Sequence, residues 1–301
     1  MIEPGRLQRF ATRDRRGDDA GFCKLFEDQR GGVYGCNRQY PGQVFTWSGM
    51  DRNRMTPSER AVLHRHVEQV RRERVLAQRS QWIVNAGRIA SLWDQCVPTD
   101  AGDPVVLYLG HRLRCDVSPV PECLRLHPAL PYRFEGETVG TWPAMVARLT
   151  SPDGRLLALH RTWLTEDGKK APSPGPCKKL TPTAGNLAGA CIRLGVPRAG
   201  QLGVAEGIET ALAARYASGV PTVAAYSAGA LAAWLWPSGL RRVVIFADAD
   251  AAGADSADNL RRRARLAGLS VDVIAPSTPG ADWCDVWAAR GAPPIVMGRA
   301  A

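Results

Sequence analysis

The chain has 301 residues, 45% of them hydrophobic and 23% charged, which excludes a disordered or fibrous chain and suffices for one large or two ordinary domains. No apolar run approaches the roughly 18 residues of a membrane helix, and MIEPGRLQRFATRDRRGDD at the N-terminus has no apolar signal core, so a soluble, cytoplasmic protein without a membrane partner is expected. The net charge of +10 suits a polyanionic partner, nucleic acid or nucleotides, although an Arg-rich composition alone gives the same balance.

Residues 1–55 are read as a small β module. AGFCKLFEDQRGGVYGCNRQYPGQVFTW (20–47) alternates apolar and polar residues, with turn signals at RGG and PGQ. Thr56, Pro57 and Glu59 form a helix start, and nothing but Gly87 interrupts the helical pattern until about Cys96. Residues 56–96 are therefore a long, charged, Arg-rich helix or linker. Residues 97–198 are rich in Pro and Gly around short apolar runs (VVLYL, MVARL, LLALHRTWL), with SPDG (151–154) as a hairpin turn, which predicts an α+β domain. EDGKKAPSPGPCKKL (166–180) reads as a basic loop or loop-strand.

From 199 to 301 the pattern changes. LGVAE, PTVAAY, RRVVIFAD and SVDVIAP are apolar strands, and GIETALAARYAS, AGALAAWLW and ADSADNLRRRARLAG are helices between them. That is βαβαβαβ, the Rossmann-like α/β class with a mainly parallel sheet buried on both faces.

In such a sheet, ligands sit beyond the carboxyl ends of the strands. Glu206 closes the first strand and Asp248 and Asp250 close the third; Asp282 and Asp285 follow the fourth, and Glu209 lies just inside the first helix. Clustered carboxylates repel, and a hard, oxygen-seeking Mg²⁺ (or Mn²⁺) offsets that repulsion. Two such ions can brace the attacking and leaving oxygens of a phosphoryl transfer. A lone Asp-x-Asp more often caps the following helix; here the pattern of acids favours the metal.

VAEGIETALAA, VVIFADADAAG and GADWCDVW resemble the Toprim domain of bacterial-type primases, topoisomerases and some nucleases. The resemblance implies that Glu206, Asp248 and Asp250 are the principal catalytic and metal-binding acids. It implies auxiliary roles for Glu209, Asp282 and Asp285. WPAMVARLTSPDGRLLALHRTWLTEDGKKA, GNLAGACIRLG, LRLHPALPY and the N-terminal GFCKLFEDQRGGVYGCNRQ resemble the narrower group of primase-like Toprim proteins of phages, plasmids and integrative elements. Such primases often carry an N-terminal zinc finger, but this chain has only Cys23 and Cys36 there, without a nearby His. Two ligands do not complete a tetrahedral site. His111, Cys115, Cys123 and His127 have the right number of ligands, but their cysteines read as incidental, so zinc is not expected.

Arg161, Lys169, Lys170, Lys178 and Lys179 are the candidates for holding nucleic acid or nucleotide; a solvated loop for the lysines, or a structural ion pair for Arg161, is the simpler alternative. The resemblance implies a primase that makes short primers on a single-stranded DNA template from nucleoside triphosphates, by two-metal phosphoryl transfer. A Mg-dependent nuclease on the same fold and a non-catalytic nucleic-acid-binding replication accessory are the alternatives. The chain has no GxxxxGK[ST] loop, which leaves room for a separate replicative helicase as partner. A topoisomerase is not expected, for want of a further domain carrying a tyrosine nucleophile.

Overall fold

The computed structural model describes residues 2–12, 19–36, 38–40, 43–49 and 56–289. They fall into two compact units that divide between Ser80 and Gln81. Pro41 and Gly42 of the PGQ turn and the side chain of Glu59 lie outside the described residues.

The first unit holds a small antiparallel sheet, β1 (Gln8–Phe10), β2 (Gly21–Leu25), β3 (Gly31–Cys36) and β4 (Phe45–Ser48), in sequential order. β1 precedes the stretch in which strands are expected. Phe22 and Val33 are buried, and the Arg74 guanidinium lies 4.7 Å from the centre of the Phe22 ring. Arg74 belongs to α1 (Pro57–Asp94), an unbroken helix whose residues from Gln81 onward belong to the second unit. Among the described residues no helix is long and apolar enough to cross a membrane.

The second unit is built on one nine-stranded sheet. Its strands are β5 (Leu124–Phe134), β6 (Glu137–Thr150), β7 (Leu156–Trp163), β8 (Lys178–Leu180), β9 (Cys191–Ile192), β10 (Gln201–Ala205), β11 (Thr222–Ala224), β12 (Arg242–Phe246) and β13 (Ser270–Ile274). The order is β13-β12-β10-β11-β9-β6-β7-β8, with β5 also on β6. β10–β13 are parallel to one another and the other pairings are antiparallel. The two-residue β9 joins the two kinds: Ile192 pairs with Ala224 of β11 and with Leu149 of β6. The expected SPDG turn connects β6 to β7. VVLYL, unlike the other two apolar runs of this region, is helical. Asp103 accepts from the N–H of Val105 and Val106 at 2.9 and 2.8 Å, Pro104 opens the first turn, and α2 runs Pro104–Leu113.

Helices cover both faces of the parallel strands: α3 (Ile208–Ser218), α4 (Ala228–Ala233), α5 (Ala251–Leu266) and α6 (Trp283–Ala289). Period-two alternation decides which strand residue meets which helix. Ala205, Val244 and Phe246 pack with Tyr108, Leu212 and Trp283 of α2, α3 and α6. Val204, Val243 and Ile245 pack with Leu231 and Leu260 of α4 and α5. A third cluster seats the end of α1: Ile89 and Trp93 lie with Val146, Leu159 and Trp163, and the Arg125 guanidinium is 4.5 Å from the Trp93 ring centre.

Candidate active site

β10 leads through α3 to β11 on one side, whereas β12 pairs with β10 on the other side. The strand order therefore reverses between β10 and β12, which opens a crevice at their carboxyl ends. Glu206 is the residue after β10, and Asp248 follows the end of β12 by two. A separate loop brings in more acid. Ala249 N–H donates to Ala281 O at 3.0 Å, and Gly280 N–H donates to Ala249 O at 2.7 Å. This pairing fastens 280–281 beside the Asp248–Asp250 turn and delivers Asp282 and Asp285.

The two acids of Asp-Ala-Asp have different employment. Asp250 caps α5, its Oδ1 accepting Gly253 N–H at 2.7 Å. Asp248 Oδ1, by contrast, is buried without a hydrogen-bond partner. Burial pushes the Asp248 carboxyl up to about 6, reinforced by the charges of Glu206, Asp282, Asp250 and Asp285. Glu206 is also raised, by burial first and by Asp250 second, against the opposing pull of the Ala228 N–H and Lys178. Asp282 and Asp285 each accept the other's backbone N–H, at 2.9 and 3.1 Å, a reciprocal cap at the start of α6. Arg112 of α2 reaches Asp282 at 3.4 Å. Gly253 is required here, because a Cβ on it would stand 2.5 Å from the Asp248 carbonyl oxygen.

Among the described residues no three His, Cys, Asp or Glu side chains gather closely enough to enclose a metal ion as they lie. The donor set nonetheless fits a hard cation. It is all carboxylate oxygen, it includes a buried oxygen with no partner, and negative charge surrounds that oxygen.

Glu209, read as an auxiliary acid just inside the first helix, lies in the first turn of α3. It is 4% exposed, and its Oε1 accepts the Tyr108 hydroxyl at 2.6 Å and the Lys178 ammonium at 2.7 Å. Burial opposes its ionisation, but Lys178 and Tyr108 outweigh burial and hold the carboxyl down at about 2. Tyr108 comes from α2 and Lys178 from β8, and both meet the first turn of α3 at this carboxylate.

The basic candidates separate too. Lys178 and Lys179 lie on β8, at the sheet's edge, and Arg161 of β7 pairs with Lys179. Lys179 Nζ donates to Arg133 O at 2.7 Å and sits 3.7 Å from the Tyr132 ring centre. Arg161 donates to Leu180 O at 2.8 Å and lies 4.9 Å from the Trp163 ring centre. Lys169 stands between β7 and β8 with an exposed ion pair to Asp167 at 2.6 Å; Lys170 is its neighbour. Of the four residues with zinc-like spacing, His127 accepts Ala129 N–H at 3.2 Å and His111 lies 3.4 Å from Gly168 O. Tyr108 and Arg112 escaped sequence reading. Recognising Asp103-Pro104 as a helix start was the one signal that could have placed them on a common helix.

Residues 201–293 match the family model described as the Toprim domain, and residues 84–194 match that of a domain of unknown function, DUF7146. No curated protein sequence matches the chain. Among solved structures, the chain is similar to the zinc-binding and RNA polymerase domains of Aquifex aeolicus primase, at 13% identity over 96% of this chain and 77% of that one, TM-score 0.44. It is also similar to a DnaG primase catalytic domain bound to single-stranded DNA, at 16% identity over 70% of this chain and 77% of that one, TM-score 0.44. A DNA primase domain from Pseudomonas aeruginosa is similar at 14% identity over 54% of this chain, TM-score 0.35; the match spans 52% of that chain's length.

Proposed function

We propose that this chain, whose residues 201–293 are a Toprim domain, is a primase-type nucleotidyltransferase. It joins nucleoside triphosphates into short primers on single-stranded DNA, in the replication of a phage or mobile element, beside a separate helicase. The observation that carries this reading is the unpartnered oxygen of Asp248 at the strand-order reversal, with the charges of four other acids around it. Groups perturbed by burial and by like charge at once cluster at functional sites.

Glu206, Asp248 and Asp250 hold the divalent ions, with Asp282 and Asp285 supporting them. Bound Mg²⁺ or Mn²⁺ supplies Lewis-acid stabilisation of charge on the phosphoryl oxygens. The chain's own contribution is placement. β10 and β12 hold Glu206 and Asp248 at the crevice, and the pairing of Ala249 with Gly280 and Ala281 holds the Asp282 loop. Lys178, Lys179 and Arg161 meet phosphates of template or nucleotide, while Lys169 and Lys170 extend the basic edge toward the template. The contacts of Arg161 with Trp163 and of Lys179 with Tyr132 keep those two cations in fixed positions.

The test is incubation of the full chain with single-stranded DNA, labelled nucleoside triphosphates and Mg²⁺ or Mn²⁺. Short oligomers that depend on Asp248 support the reading. A shortened template means a nuclease on the same acids. Template binding with neither product means a replication accessory.

A further inference from the structure

Among the candidate cations of β7 and β8, Lys178 alone is seated on a buried charge. Lys179 and Arg161 are held by carbonyls and aromatic rings. Lys178 is held by Glu209, a residue 4% exposed, while its own side chain remains 39% exposed. The same carboxylate oxygen takes the Tyr108 hydroxyl, so α2, α3 and β8 converge on one buried atom.

An ammonium has three donors, and Glu209 occupies one of them. Glu209 stands in the first turn of α3, three residues after Glu206 at the end of β10, so the seat of Lys178 adjoins the rim. A lysine free in solvent samples many rotamers, and any anion it binds must order it. A lysine already ordered by a buried carboxylate has met that cost in folding. Tyr108 completes the arrangement by fixing the carboxylate itself. The nearby His160 adds no competing charge, because burial keeps it neutral, its pKa lowered to about 4.

We propose that Glu209 is a positioning residue: with Tyr108 it fixes the Lys178 ammonium beside the carboxylate rim, as a preset seat for the phosphates of an incoming nucleoside triphosphate. This deepens the function proposed above and rests on it only in that the anion is a nucleotide phosphate. The experiment is a double-variant cycle read by calorimetric binding of magnesium tripolyphosphate to the full chain, with circular dichroism as the check on folding. Lys178→Met and Glu209→Gln are each expected to weaken binding about tenfold, the scale of a lost charge-assisted contact. The double variant is expected to bind no worse than Lys178→Met alone, because Glu209 acts through Lys178. Tyr108→Phe is expected to lose about two- to threefold in the wild-type background and nothing further beside Lys178→Met. If Glu209→Gln does not fold, the Tyr108→Phe cycle carries the same test. Unchanged binding in Lys178→Met overturns the proposal, and so do losses that multiply independently. Absence of primer synthesis with the cycle intact would instead count against the primase reading alone.

Discussion

Glu206 and Glu209 lie three residues apart and are driven in opposite directions. Glu206, at the end of β10, is raised by burial and by Asp250. Glu209, in the first turn of α3, is held down at about 2 because Lys178 and Tyr108 outweigh its burial. One half of this short segment is an unbalanced negative rim and the other a balanced interior pair. Desolvation is common to both, so the partner decides whether a buried carboxylate is a liability or a fastening. The rim is where divalent ions are proposed to bind, and the pair ties α2, α3 and β8 together at one carboxylate.

The widest gap in the comparison is opened by Asp248→Asn. If Asp248 holds metal as proposed, its loss is expected to lower primer synthesis on the order of 100-fold or more, as removal of one transition-state-stabilising group does elsewhere. The same change is expected to stabilise the fold. A carboxyl raised to about 6 in the folded state takes up protons more tightly than in the unfolded chain, so its ionisation above that range works against folding. Removing the charge therefore gains roughly 1–2 kcal/mol at neutral pH, less than the full shift because the group is partly solvated. Denaturant unfolding at pH 7.5 and pH 4 checks the sign: the gain should be present at the higher pH and small at the lower. A destabilised Asp248→Asn would show that the acid is structural.

Glu209→Gln should do the reverse. It leaves Lys178 without its charged partner, and the expected loss is about 2–3 kcal/mol, moderated by the partial exposure of Lys178. The stabilisation from a depressed carboxyl is present above the unfolded value near 4.5 and fades as pH falls toward about 2. The difference between wild type and Glu209→Gln should therefore shrink on acidification below pH 4.5, in unfolding curves followed by circular dichroism.

Gly253→Ala tests how closely the α5 entry holds Asp248. The added Cβ would meet the Asp248 carbonyl oxygen at 2.5 Å, so backbone must move. A loss of about 1–2 kcal/mol is expected, together with weaker Mn²⁺ binding by calorimetry. Stability lost with Mn²⁺ affinity intact would mean that the turn gives without moving the carboxylate.

These contrasts also mark what the sequence could and could not show. The βαβαβαβ pattern was legible because β10, β11 and β12 are apolar runs, each followed within a few residues by helix-forming alanines. The acids at strand ends were legible for the same reason. The continuity of the sheet was not, since β9 is two residues long and two residues carry no period. β1 was missed likewise, as a three-residue edge strand. The seat of Glu209 was hidden because its partners come from α2 and β8, far away in the chain, and Tyr108 sits in a run that reads as purely apolar. Burial of an acid in the first turn of α3 becomes visible only when its partners are assembled around it.

The smallest effect belongs to the far end of the basic edge. Lys169 and Asp167 are both well exposed, so Lys169→Ala with Lys170→Ala should leave the melting temperature unchanged. If both lysines meet template phosphates, the slope of log affinity against log salt for single-stranded DNA should flatten by about 0.7 for each. Lys178→Met should flatten it less, because that ammonium is assigned to the nucleotide rather than to the template. A slope unchanged by the Lys169 and Lys170 substitutions would confine the nucleic-acid edge to β7 and β8 and leave the turn between them as solvated surface.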